Sequence, residues 1–117
     1  MKSKLITVLI SAFALCSGAF LQAQDRMAGE FRRAVDLYDH GMFERAGTIF
    51  SGIAAESDDV MAKGYETLCA IRLQEKGYET KVSDYLSNYP YSKLIPQVRF
   101  YNALNSFDKE DFKAAAT

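Results

Sequence analysis

The residues that most often carry catalysis or bind metals are few in this chain. His40 is the only histidine, and Cys16 and Cys69 are the only cysteines. A hydrolase or a metalloenzyme needs a nucleophile with a base and an orienting group, or three to four ligands, drawn from His, Cys, Asp and Glu. The sequence also lacks glycine-rich phosphate loops, nucleophile elbows and Cys-x-x-Cys pairs. It therefore predicts no catalytic, cofactor-binding or metal-binding residues, and a protein that is not an enzyme.

A structural role explains each reactive residue of the exported part better than a chemical one. His40 precedes Gly41 at the end of a predicted helix, where an imidazolium interacts favourably with the helix dipole. Cys69 lies in an apolar stripe and is predicted to be a buried packing thiol, the alternatives being a reactive thiol or an intermolecular disulfide. The acidic groups Asp58-Asp59 and Asp108-x-Glu110-Asp111 are placed at predicted helix starts. There carboxylates satisfy free N–H groups, so we expect caps rather than acid/base or calcium sites.

The first 23 residues have the pattern of a secretory signal. Lys2 and Lys4 precede an uncharged stretch over residues 5–20, and Ala23 supplies a small residue at the end of a cleavage site. We expect cleavage after Ala23 and a periplasmic or secreted product. Two alternatives stay open: an uncleaved anchor, which would be the chain's only membrane contact, and a lipoprotein acylated on Cys16. Leu15 fits the second poorly, because glycine or alanine normally precedes such a cysteine.

Removal of this segment changes the chemistry of what remains. The 94-residue product loses two of the 14 basic residues and none of the 15 acidic ones, so its formal charge changes from −1 to −3. Its basic residues are isolated, which argues against nucleic acid as a partner. Because Cys69 is then alone, no internal disulfide can form. Hydrophobic packing has to stabilise the fold.

Apolar residues beyond residue 24 recur at the helical spacing of three and four, and Pro90 and Pro96 are the only prolines. The pattern predicts an all-α domain over residues 24–117. The predicted apolar stripes run over Met27–Tyr38, Phe43–Ala54, Met61–Ile71, Tyr78–Tyr89 and Ile95–Leu104, and a sixth helix is predicted to open at Asp108.

The helices pair into a repeat. The aromatic residues Phe43, Tyr78 and Phe112 are 35 and 34 residues apart and follow glycine or acidic turn residues. This period, with small residues such as Ala46 and Ala115 three positions after Phe43 and Phe112, resembles the tetratricopeptide repeat. The segment Tyr89-Pro90-Tyr91-Ser92 resembles the join found in periplasmic tetratricopeptide proteins of Gram-negative bacteria.

The resemblance implies antiparallel helical hairpins stacked as a right-handed superhelix of about two and a half repeats. The hairpins would span residues 25–57, 58–90 and 91–117, the last incomplete. Lys81 departs from the pattern, because a small residue is usual there, and Glu30 and Arg33 stand at positions normally more apolar. An incomplete third hairpin predicts that the chain is the N-terminal piece of a longer array.

Proteins of this family bind other proteins and catalyse nothing, so the resemblance implies a protein or peptide partner in the cell envelope. The first helix of each hairpin would line a concave binding surface, whose candidate residues are Phe31, Val35, Tyr38, Glu66, Ala70 and Leu73. The first three also lie on a core stripe, so packing alone is the competing interpretation. The alternative function is a regulatory or targeting domain of a longer envelope enzyme or of a glycan-capture protein.

Overall fold

The structure is a computed structural model that describes the backbone of residues 2–116 and the side chains of residues 21–109. The described residues form five helices, α1 (Lys2–Asp39), α2 (Phe43–Glu56), α3 (Val60–Leu73), α4 (Tyr78–Asn88) and α5 (Ile95–Ala116). No strand occurs among the described residues. The predicted all-α class is confirmed. Among the residues described, no helix is both long and apolar enough to cross a membrane.

The chain divides into two compact units, Met1–Glu30 and Phe31–Thr117. The first is helical from residue 2, and Leu21 in it is exposed. Cys16 and most of the predicted signal segment have side chains outside the described residues, and cleavage after Ala23 stays a prediction. All contacts below belong to the second unit.

Helix α3 is the central element of the second unit and packs against α2, α4 and α5. It begins at Asp59, whose Oδ1 accepts hydrogen bonds from the backbone N–H groups of Met61 (2.9 Å) and Ala62 (3.1 Å), as the sequence predicts for a cap. Leu68 and Ile71 are fully buried in its core-facing stripe. Since α3 has neighbours on several sides, its apolar residues extend almost around it.

A glycine lets α2 lie close to α3, because a Cβ atom added at Gly47 would lie 3.3 Å from Cys69 Cβ. Ala46, the small residue of the repeat pattern on the same helix, is fully buried. Glycines also form the turns before α2 and α4, because Gly41 (φ +78°) and Gly77 (φ +83°) are left-handed.

The join between α4 and α5 is held against the start of α3 by Tyr85 and Ser92. Tyr85 Oη donates to the carbonyl of Val60 (3.0 Å) and lies 2.6 Å from Ser92 Oγ, which accepts from the backbone N–H of Leu94 (3.2 Å). The hydroxyls of Tyr85 and Ser92 therefore both have hydrogen-bond partners within the protein. Ser92, the serine of the Tyr-Pro-x-Ser segment, thus connects the residues before α5 to the start of α3 through the hydroxyl of Tyr85.

Helix α5 differs from the prediction, because the sixth helix expected to open at Asp108 does not exist as a separate element. α5 runs without a break through Asp108, so the third predicted hairpin contains one helix, and Asp108 lies inside it rather than capping a start. No glycine or proline interrupts residues 97–116, and an aspartate inside a helix costs well under about 1 kcal/mol. Glu110, Asp111, Phe112 and Ala115 have side chains outside the described residues.

Two polar side chains of α5 attach it to the earlier helices. The buried Asn105 donates from Nδ2 to the carbonyl of Ile71 (2.8 Å), near the C-terminal end of α3. Lys109 Nζ donates to Tyr78 Oη and to Glu79 Oε1 (both 3.1 Å) at the start of α4. α5 is therefore positioned by polar as well as apolar contacts.

Candidate interaction surface

Three of the predicted binding residues lie in an aromatic cluster inside the domain. Phe31 packs edge-on against Phe50 (ring centroids 5.5 Å) and Tyr65 (5.8 Å), and Tyr38 packs against Tyr65 (5.4 Å) and Phe43 (5.2 Å). Tyr38 is only 8% exposed, whereas Phe31 and Val35 are half-buried against the same core. All three residues pack against the core, as the competing interpretation expects. Tyr38 is too deeply buried to offer a surface to a ligand.

The other three predicted residues, Glu66, Ala70 and Leu73, lie on α3. Ala70 is 1% exposed, so its predicted place on a binding surface is corrected to the core. Glu66 and Leu73 are half-buried and line a cleft of about 530 Å³ formed by residues of α2, α3, the α3–α4 turn and α4. The six predicted residues therefore do not form one continuous surface.

The cleft beside α3 is polar and its charges are partly matched. Glu44, Glu66 and Glu75 line it together with Lys81, whose Nζ lies 3.7 Å from Glu66 Oε1 and 3.8 Å from Glu75 Oε2. No group of three His, Cys, Asp or Glu side chains among the described residues is placed to hold a metal ion. Lys81, the departure from the repeat pattern, thus bridges two carboxylates.

Cys69 and His40 are placed as the sequence predicts. Burial raises the pKa of the Cys69 thiol to about 12, with the charges of Glu75 and Glu66 adding to the shift, so the thiol stays protonated at neutral pH. His40 is exposed just beyond α1, with Nδ1 2.7 Å from the carbonyl of Asp36. That hydrogen bond, with the Asp36 charge, raises the pKa of His40 and gives it the role of a helix-end cap.

Arg72 has a position that sequence reasoning missed. It lies on α3, is exposed, and its Cζ atom stands 4.4 Å from the centroid of the Phe43 ring and 4.2 Å from that of Tyr101. The Tyr38 ring is 6.0 Å away, and the Tyr38 hydroxyl is buried without a hydrogen-bond partner among the described residues. Burial raises the pKa of Tyr38 to about 12, against the opposing charge of Arg72.

Three of the exposed large hydrophobic side chains among the described residues lie on α5. Phe100, Leu104 and Phe107 are 61%, 43% and 59% exposed, and their spacing of four and three residues places them on one face of the helix. We call these three residues the α5 stripe. The opposite face carries the buried Val98 and Asn105. The sequence assigned Leu104 to the core stripe and did not identify Phe100 or Phe107, although their spacing was a usable signal.

Comparison of the chain with protein-family models, with curated proteins and with solved structures finds no significant match.

Proposed function

We propose that this chain is an exported helical-repeat module that binds another protein of the cell envelope and has no catalysis of its own. The observation that carries the proposal is the α5 stripe. Large apolar side chains grouped on one exposed helix face are typical of protein interaction sites, whereas single exposed apolar residues are common on any surface. A partner helix or strand laid along α5 would remove this surface from water.

The finer proposal is that the helices form a tetratricopeptide-like superhelix. Phe43 and Tyr78 begin α2 and α4, and a left-handed glycine, Gly41 or Gly77, lies in the turn before each. Equivalent turns, equivalent aromatic residues and a spacing of 35 residues support a repeated helical hairpin. Helices joined by turns this short usually pack antiparallel.

The non-catalytic part of the proposal rests on the roles of the reactive residues. The raised pKa of Cys69 and its burial make it a poor nucleophile, and His40 interacts with the end of its own helix. The export part rests on the signal pattern of residues 1–23. The alternative, a regulatory or targeting domain of an envelope enzyme or of a glycan-capture protein, gains support from no described residue.

Photo-crosslinking from α5 tests the interaction. A photoreactive phenylalanine analogue replaces Leu104 in the organism that produces the chain, and the matched control carries it at Ser87, an exposed position of α4. We expect a discrete adduct with one partner from position 104 and none from position 87. Equal adducts from both positions, or none from position 104, would contradict the proposal.

A further inference from the structure

The guanidinium of Arg72 lies close to two aromatic rings. The centroids of the Phe43 and Tyr101 rings are 4.4 Å and 4.2 Å from Cζ. Cation–π contacts of this kind favour a defined position for a guanidinium, which carries five N–H donors. Arg72 is thus an oriented positive group on an otherwise long and flexible side chain.

Among the described residues, no carboxylate forms an ion pair with Arg72. By contrast, Lys63, Lys81 and Lys109 of the same domain each have at least one. Tyr38 stays neutral at physiological pH because of its raised pKa, so it supplies no anion. A planar guanidinium is suited to two parallel hydrogen bonds with a carboxylate.

The α5 stripe begins next to this group. Tyr101, one of the two stacking rings, contacts the Phe100 ring at a centroid distance of 5.1 Å, and Leu104 follows Tyr101 by one helical turn. An unpaired positive charge and an apolar helix face are therefore neighbours. Half-exposed side chains of this size offer on the order of 300 Å² of surface. A stable dimer needs about 800 Å² from each partner, so the surface suits a single segment of another protein better than a second copy of this chain.

We propose that this surface binds a segment of a partner protein in which an Asp or Glu side chain pairs with Arg72 while neighbouring apolar side chains cover the α5 stripe. The inference rests on the proposed function and specifies the chemistry of the partner. The carboxylate supplies register along the surface, because Arg72 is a single charged group at one end of the α5 stripe. The apolar contacts supply the buried area.

Selection of displayed peptides tests the inference without knowledge of the partner. A random peptide library is selected on the purified full chain, and enriched sequences are synthesised. We expect an Asp or Glu flanked by apolar residues. The affinity of such a peptide should fall about tenfold or more for Arg72→Gln, and by a smaller factor for Arg72→Lys, which keeps the charge but loses the planar fork.

A matched peptide in which the acidic residue is replaced by its amide completes a double-mutant cycle. The amide peptide should bind the unaltered chain about as weakly as the acidic peptide binds Arg72→Gln. Binding of the amide peptide to Arg72→Gln should be little weaker than either. The Nε–Hε signal of Arg72 in NMR spectra should shift with the acidic peptide and stay in place with the amide. Thermal unfolding of each variant checks that the fold is retained.

The two proposals fail in different ways. Enriched peptides without an acidic residue, or affinities that Arg72→Gln leaves unchanged, would overturn the pairing with Arg72. If those same peptides bind Phe107→Ser more weakly than the unaltered chain, the proposed function stands and only the pairing with Arg72 is wrong. If no peptide is enriched, or if Phe107→Ser and Arg72→Gln both leave binding unchanged, both proposals are wrong. The chain could also form a dimer that Arg72→Gln abolishes. That result would show that Arg72 pairs with a second copy of this chain, and it would overturn the inference.

Discussion

The ring of Tyr85 lies directly against the backbone of Gly64, so that α3 and α4 meet without a side chain between them. A Cβ atom at position 64 would stand 2.5 Å from Tyr85 Oη and 2.6 Å from Leu94 Cδ1. Tyr85 cannot easily move aside, because its hydroxyl bonds to Val60 and Ser92. The contact fixes where the α4–α5 join, and with it the start of α5, meets α3.

Gly64→Ala should destabilise the domain even though alanine favours helices. Overpacking against Tyr85 and Leu94 should lower the free energy of unfolding by about 1–3 kcal/mol. Gly52→Ala is the matched control, because nothing lies within 4 Å of a Cβ there and the position is in the exposed middle of α2. It should raise stability by about 0.5–1 kcal/mol. Denaturant unfolding measures both, and a Gly64→Ala variant as stable as Gly52→Ala would refute the close approach.

Asn105→Asp should be strongly destabilising at neutral pH. The change replaces the Nδ2 donor by a carboxylate oxygen that faces the Ile71 carbonyl in a buried place, at a cost of about 2–4 kcal/mol. Lowering the pH protonates the new carboxyl and should recover part of the loss. Asn102→Asp, at a less buried position on the same helix, is the control and should cost much less. Similar unfolding midpoints for the two variants would argue against the contact between α5 and α3.

The pKa of His40 should lie above its ordinary value of 6.5, because the Asp36 carbonyl accepts a hydrogen bond from the ring and the Asp36 carboxylate adds charge attraction. In the Asp36→Asn variant, NMR titration should give a His40 pKa that is still raised but by less, since the backbone carbonyl of residue 36 remains. A raised pKa means that this contribution to stability is complete below about pH 6.5 and is lost as the pH rises through the folded value. A wild-type pKa at or below 6.5 would contradict the cap.

Cys69 should resist thiol reagents in the folded protein. Its burial and its pKa of about 12 leave almost no thiolate at neutral pH. In a Cys16→Ser background, labelling should be slow in buffer and fast in denaturant, as mass spectrometry can follow. Because the thiol of the unfolded chain ionises near its ordinary pKa of 9.0, stability should fall as the pH rises above that value. Equal labelling rates in buffer and denaturant would mean that the thiol is accessible.

Helical periodicity predicted α2, α3 and α4 closely, because residues such as Phe50, Leu68 and Val82 recur at the spacing that core packing requires. The end of α1 was also predicted, but α1 begins at Lys2, inside the predicted signal segment, and not near Met27. The predicted break before Asp108 was wrong for a physical reason. An aspartate is a good cap, but it is also tolerated inside a helix, and what decides here is tertiary contact. Asn105 reaches a carbonyl 34 residues away and Lys109 reaches α4, so α5 continues across the predicted boundary.

The proposed binding surface was harder to predict than the fold. Tyr38 and Ala70 share the helical spacing of both a core stripe and a binding stripe, and only packing shows that they are core. The position of Arg72 depends on Phe43 and Tyr101, which come from two other helices. No local pattern contains that relationship. By contrast, the spacing of Phe100, Leu104 and Phe107 is a local pattern that indicates a second apolar face on α5.

The central claim is that the exposed apolar face of α5 binds a protein, and the affinity of the partner found by crosslinking tests it most directly. Isothermal titration compares the unaltered chain with Phe107→Ser and with Tyr91→Ser, which removes a 98% exposed aromatic residue that lies outside the α5 stripe. We expect Phe107→Ser to weaken binding by about 10–30-fold and Tyr91→Ser to change it by less than about twofold. Unchanged affinity for Phe107→Ser, or an equal loss in both variants, would contradict the claim.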